Sequence, residues 1–212
     1  MMIPQQQRSP AWLKWRRDKI GGSDASSIMD KNAFKKVGEL WEEKLGLRKP
    51  EEENEHMARG NALEDEARLE FETLTGLIMF PQVLVHSGYP WMIASLDGMT
   101  MDKKIAVEIK CPGKIGNLLD GIPDYYKPQL QHQMAVANLD EIYFFAFFKG
   151  PMNSETHILH KMQRDDAYIK KLIEKEKQFY EILLQGFDEI SKHEERLDGM
   201  KTELYRIYNE QA

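Results

Sequence analysis

The segment Trp91 to Pro112, WMIASLDGMTMDKKIAVEIKCP, decides how the rest of the chain is read. It predicts two strands joined by the polar turn Met101-Asp102-Lys103-Lys104. The second strand alternates with period two, so that Ile105, Val107, Ile109 and Cys111 face one way and Ala106, Glu108 and Lys110 the other. A carboxylate and an ammonium therefore project side by side from a half-buried strand, and a second carboxylate, Asp97, precedes Gly98 on the neighbouring strand. Hairpin pairing places Asp97 within reach of Glu108, giving two hard oxygen ligands of the kind Mg²⁺ prefers, with a lysine beside them. Such a set suits the cleavage of a phosphodiester. The ordinary reading of the same residues is a solvated salt-bridging face and a tight Asp-Gly turn, and the rest of the chain has to decide between them.

At 212 residues, 42% apolar and 30% charged, the chain is expected to be a single domain over 1–212 with a sizeable core, the core proper over about 10–163. No apolar run approaches a membrane span and MMIPQQQRSP lacks the hydrophobic region of a signal peptide, so a cytoplasmic protein is expected. One cysteine, Cys111, excludes an intramolecular disulfide framework and a cysteine-ligated iron–sulfur cluster, and reads as a small buried hydrophobe. The net charge of −6 argues against a passive nucleic-acid binder, yet residues 1–50 carry 11 Lys or Arg against 6 Asp or Glu, a basic part able to meet phosphates.

Ser9 as N-cap and Pro10 at the first helical position open a helix over Pro10 to Arg17, and after Gly21-Gly22 a second short helix runs from Ser23 to Ile28. A glycine pair before a helix N-terminus offers backbone N–H groups to a phosphate, with Arg16 as a charged partner. Read locally, though, Ser23 and Arg16 are an ordinary cap and a solvated side chain, and Asp24 in the first turn repels an anion. A third helix over Glu39 to Leu45 ends at Gly46 and leads into the acidic linker Arg48 to Glu53.

The helix from about Glu55 to Thr75 has the stripe Gly60, Glu64, Ala67, Phe71, Leu74, which sets Glu64 on or beside the core-facing side. A carboxylate there is either metal-bound or paired with Arg68 one turn on. Strands follow at Val83 to Ser87, Ile142 to Phe148 and Glu155 to Met162. A helix over Lys127 to Asn138 has Leu130, Met134 and Ala137 as its apolar stripe, with Gln129 and Gln133 sharing another face. The last fifty residues predict two amphipathic helices, Asp165 to Gln185 and Phe187 to about Tyr208, parted by Gly186, the second with a seam of Ile190, His193, Leu197, Met200, Leu204 and Ile207 for the domain or another subunit. Nucleophile-elbow, Walker, dinucleotide and zincin motifs are absent from the sequence, and His157 and His160 fall on opposite faces of a strand.

Taken together, Asp97-Gly98, Glu108-Ile109-Lys110-Cys111-Pro112, the preceding Gly60-x-x-x-Glu64 and the following Tyr126-x-x-Gln129-x-Gln131 resemble the phage lambda exonuclease family, the YqaJ-type viral recombinases of the PD-(D/E)xK nuclease superfamily. Trp12-x-x-x-Arg16-x-x-x-Ile20-Gly21-Gly22-Ser23-Asp24 is similar to that family's opening motif. The resemblance spans roughly Trp12 to Phe148. It implies an α/β, restriction-endonuclease-like core, a central mixed β-sheet flanked by helices, with the C-terminal pair of helices added. It also implies a Mg²⁺-dependent exonuclease that degrades linear double-stranded DNA 5′→3′ to mononucleotides and leaves 3′ single-stranded tails for an annealing recombinase. A homotrimeric ring is implied, as is a phage or prophage setting in a bacterial host. By position, Asp97, Glu108 and the Ile109 carbonyl become metal ligands and Glu64 completes a second metal site, for two Mg²⁺ with Mn²⁺ as substitute. Lys110 orients or deprotonates the attacking water, Gln129 and Gln131 line the site, and Arg16 and Ser23 hold the 5′ phosphate, against the local reading. Leu96 departs from the proline that the family often has before the aspartate. The competing readings are an endonuclease or junction resolvase on the same fold and a non-catalytic DNA-end-binding subunit.

Overall fold

The computed structural model describes residues 9–49, 55–114, 116–150 and 155–209. The elements run α1 (Pro10–Arg16), β1 (Ile20–Gly21), α2 (Gly22–Ile28), α3 (Val37–Leu45), α4 (Glu55–Thr75), β2 (Phe80–Val85), β3 (Met92–Met99), β4 (Ala106–Lys110), α5 (Lys127–Ala137), β5 (Glu141–Lys149), β6 (Glu155–Gln163) and α6 (Asp166–Asn209). The six strands form one mixed sheet in the order β1-β3-β4-β5-β6, with β2 on the other edge of β3; β4 and β5 are parallel, and β3–β4, β2–β3 and β5–β6 antiparallel. Most of the acidic linker lies outside the described residues. The two-residue β1 has no counterpart in the sequence reading.

The sequence alternation matches the two faces of β4, and both faces are covered. Val107 and Ile109 pack with Ala67 and Phe71 of α4 and with Phe145 and Phe147 of β5. Ala106 faces Leu130 and Met134 of α5. Glu108 is consequently only 3% exposed, where a half-solvated face was expected. The α4 stripe needs a matching correction, because Ala67 and Phe71 are fully buried while Leu74 is exposed and a Cβ at Gly60 would meet no other described element within 4 Å.

Gly98 is not a turn residue. It lies inside β3, and a Cβ there would stand 2.8 Å from Met79 Cβ and 2.9 Å from Val107 Cγ1, so the close crossing of these segments requires its missing side chain.

The predicted break at Gly186 does not occur, and the expected C-terminal pair is one helix of 44 residues. Ile169, Leu172, Glu176, Phe179 and Leu183 form its buried stripe. At Gly186 a Cβ would fall 2.7 Å from Leu45 Cδ1 and 3.0 Å from Trp41 Cζ2, so this glycine admits α3 against α6 and terminates nothing. Of the predicted second-helix seam, Ile190 is half-buried and His193 exposed; the side chains from Leu197 onward lie outside the described residues.

Candidate active site

The site is a notch where β3 and β4 part. Their pairing covers Met99↔Ala106 and Gly98↔Val107 and goes no further. Beyond it the Asp97 side chain takes the place of a strand, accepting the Ile109 N–H on Oδ2 at 2.7 Å. Because β2 occupies the opposite edge of β3, the carbonyls of alternate residues on the notch side need other donors. Trp91 O accepts from Ile20 N–H at 2.7 Å, Ile93 O meets His132 Nε2 at 2.9 Å, Ser95 O meets Gln133 Nε2 at a long 3.5 Å, and Asp97 O accepts from Arg68 Nε at 2.8 Å. One main-chain N–H and three side chains thus stand where a neighbouring strand would pair.

Glu108 and Lys110 point into it from the α5 side. Lys110 Nζ donates to Glu108 Oε1 at 2.6 Å and to Gln129 Oε1 at 3.4 Å. Gln129 Nε2 donates to Glu108 Oε1 at 2.5 Å and Gln133 Nε2 to Glu108 Oε2 at 2.6 Å. One turn of α5 separates the two glutamines, so both reach the same carboxylate. Gln131 does not join them. It is turned to the far side, where Nε2 donates to Gln163 O at 2.8 Å and Oε1 accepts the Asp165 N–H at 2.9 Å, clamping the junction of β6 and α6. Residues two apart on a helix lie nearly opposite one another, and the i, i+4 partner of Gln129 is Gln133. That spacing was the available signal for Gln133.

The electrostatics are those of an acidic notch short of cations. Burial holds the Asp97 carboxyl well above the usual carboxylate range; Glu108 and then Glu64 push the same way, against Lys110 and the Ile109 N–H. Burial alone would lower Lys110, but Glu108, Tyr126 and Asp97 outweigh it and keep the ammonium firmly protonated. Burial, with Asp97 and Glu64 nearby, raises the Cys111 thiol to about 11. Glu64 stands 3.5 Å from Arg68 Nη2, the pairing that the sequence left open as the alternative to a metal. Arg68, read only as a partner for Glu64, also anchors Asp97 through its main chain.

Arg16, Gly21 and Asp24 gather at the start of α2, against the same α5 helix. A Cβ at Gly22 would meet Gln129 Cγ and Gln133 Cγ at 3.3 Å. Gly21 N–H donates to Asp24 Oδ2 at 2.9 Å, Lys44 Nζ lies 2.9 Å from the same oxygen, and Arg16 Nη2 is 3.9 Å away. Two cations on one carboxylate leave a positive charge over, and Ser23 is exposed on the first turn. The objection that Asp24 repels an anion fails because of Lys44, a buried residue from α3 that the sequence reading passed over.

The YqaJ-like viral recombinase domain matches residues 11–140, from α1 to the end of α5. The chain belongs to that family. The uncharacterized protein YqaJ of Bacillus subtilis strain 168 is 32% identical over 176 residues, covering 80% of this chain and 54% of that one. Protein R354 of Acanthamoeba polyphaga mimivirus is 31% identical over 160 residues, 67% of this chain and 29% of that one. The chain thus spans about half the length of its YqaJ relative. An alkaline exonuclease from Laribacter hongkongensis is 26% identical and superposes with a TM-score of 0.73 over 89% of this chain and 100% of that one; its complex with dAMP gives 0.74. A phage-related exonuclease from Haemophilus somnus 129PT, 18% identical with a TM-score of 0.57 over 82% of this chain and 96% of that one, shares the fold. The fold is the restriction-endonuclease-like one that the sequence resemblance implies.

The family implies divalent cations, and the notch can be tested for them. Among the described residues no three Asp, Glu, His or Cys side chains converge as a ready cage, since Glu64 is drawn to Arg68. The donor chemistry nevertheless fits. A carboxylate pair offers about eight acceptor positions, of which the donors named here use only some. Gln133 Oε1 is buried with no hydrogen-bond partner among the described residues, an acceptor that a cation or its water would satisfy. Burial first, and the facing Glu108 second, raise the Asp97 carboxyl, so its ionised form is the one that a cation would favour. Asp97, Glu108 and the Ile109 main chain between them are the residues that would hold a cation.

Proposed function

We propose that the chain is a metal-dependent deoxyribonuclease that degrades linear duplex DNA from its 5′ ends, leaving 3′ single-stranded tails for a strand-annealing recombinase. The observation that carries this reading is the Asp97–Glu108–Lys110 set at the strand notch, a buried and a half-buried carboxylate of neighbouring strands with a half-buried ammonium 2.6 Å from Glu108. Mg²⁺ held there would activate water and neutralise charge on the transferring phosphate and the leaving 3′ oxygen. Lys110 is aimed to orient that water and, with Gln129, to hold the Glu108 carboxylate in one rotamer. Gln133 fixes its other oxygen. The surplus positive charge of the Arg16–Lys44–Asp24 group, beside the exposed Ser23, suits a 5′-terminal phosphate, which selects ends over interior bonds. The dAMP complex of the Laribacter exonuclease, a nucleotide on a similar fold, supports the same class of substrate.

A ring of three copies and Mn²⁺ as a substitute metal belong to the same proposal. The test is digestion of 5′-phosphorylated linear duplex with Mg²⁺, following released nucleotides and end polarity together. The expected result is mononucleotides from the 5′ strands, none after chelation of the metal, and intact closed circles. Cleavage of closed circular or branched DNA would instead favour the endonuclease reading, and binding without release of nucleotides the end-binding one.

A further inference from the structure

Arg59 is a guanidinium that the carboxylate site does not use. It stands on α4 five residues before Glu64, and its Nη2 donates to the Lys149 carbonyl at the end of β5 at 2.6 Å, with Cζ 5.7 Å from the Phe148 ring centroid. The β4–β5 register brings this perch to the notch. Lys110 pairs with Ala146, so Phe148 and Lys149 extend β5 just past the catalytic lysine, level with the chain where it leaves β4. The guanidinium is half-buried and its Nε is buried with no hydrogen-bond partner among the described residues. Arg68, on the same helix, is paired with Glu64 and Asp65; among the described residues Arg59 has no such carboxylate.

A buried donor left unmade is costly, and a fixed cation without a counter-ion is a place for an anion. Its setting tells which anion. The α4 side of the notch carries Glu64 and Asp97, which repel a polyanionic strand, whereas the α5 side receives the surplus charge of the Arg16 group through α2. A strand laid across the notch needs a cation on the α4 side, and Arg59, half-buried and without a carboxylate partner among the described residues, stands on that side. Resting on the nuclease reading above, we propose that Arg59 binds a backbone phosphate of the substrate strand on the α4 side of the notch, next to the bond that is cut. Arg16 and Arg59 then grip the strand from opposite faces of the sheet.

The experiment is equilibrium binding of a short 5′-phosphorylated duplex across a salt series, with the whole chain carrying Glu108→Gln to prevent turnover, alone or with Arg59→Ala or Arg59→Lys. Loss of a charge-assisted phosphate contact should weaken binding by about 10- to 100-fold. It should also flatten the slope of log affinity against log salt by about one. Arg59→Lys keeps the charge but not the planar fork of donors, so it should retain the slope and lose part of the affinity. Unchanged affinity, or affinity lost equally at every salt concentration, would overturn the assignment, because a purely structural role for the Lys149 contact leaves the slope alone. If the unmodified chain digests DNA but the Arg59 variants bind as tightly as their parent, only the Arg59 assignment falls. If the unmodified chain neither binds nor digests DNA, the nuclease reading falls and the assignment with it.

Discussion

Replacing Asp24 with Asn removes the charge that joins α2, α3 and α1. Burial alone would raise its carboxyl, but Lys44, Arg16 and the Gly21 N–H bring it from its ordinary 3.8 down to about 2. The native state therefore favours the ionised form, a preference worth about 2 kcal/mol at neutral pH, at roughly 1.4 kcal/mol per pH unit. A carboxyl depressed by folding stabilises the native state above its unfolded pKa and loses that effect as the pH falls through the folded one. The contribution should be full above about pH 5, halved near pH 3 and almost gone by pH 2. Asp24→Asn also leaves Lys44, 7% exposed, without its counter-charge, which moves the total toward the 3–5 kcal/mol typical of breaking a buried pair. Urea unfolding of the two proteins at pH 7, 5 and 3 gives the difference directly. Expected are a deficit of at least about 2 kcal/mol at pH 7, a smaller one at pH 3, and partial recovery when Lys44→Met is added, since the orphaned ammonium is then absent. A deficit independent of pH, or none, would refute the claim that this carboxylate is held ionised by its neighbours.

Gly186→Ala should destabilise the protein by about 1 kcal/mol, because overpacking against Leu45 and Trp41 costs about 1–3 kcal/mol and the helix-propensity gain returns about 1. Gly60→Ala, with open space around it, should stabilise by up to about 1 kcal/mol, and thermal melts of the pair show whether the signs differ. Lys110→Ala should lower the rate of DNA digestion about 10²–10⁴-fold with duplex binding retained; equal loss of binding in a filter assay would make the lysine a binding residue instead. Gln133→Leu should slow digestion while Gln131→Leu should instead lower the melting temperature, and the reverse assignment of the two effects would contradict the helix register.

Much of this was legible before any coordinates. The period-two pattern from Ile105 to Cys111 fixed which side chains share a face of β4, and Ser9-Pro10 and Gly46 marked helix ends that the structure keeps. What failed did so for tertiary reasons. Gly186 carries the local signature of a break, but its role is set by Leu45, 141 residues earlier, and sequence spacing does not reveal such a contact. Gln131 matches a motif, yet only the direction of α5 against the sheet decides that Gln129 and Gln133 reach Glu108 and Gln131 does not. The notch itself could not be seen, because a hairpin pattern predicts continued pairing where the strands separate at Asp97. The buried His132–Glu176 contact, Nδ1 to Oε1 at 2.7 Å, tying the site helix to α6, combines residues that each look solvent-facing in the sequence.

The central claim is that Asp97 and Glu108 form one cation site beside Lys110. Calorimetric titration of the DNA-free chain with Mn²⁺, repeated on Asp97→Asn and on Glu108→Gln, tests it without reliance on turnover. Saturable binding by the parent chain and its loss in each variant is the predicted outcome. Binding that survives both substitutions, or that the parent chain lacks, would contradict the account.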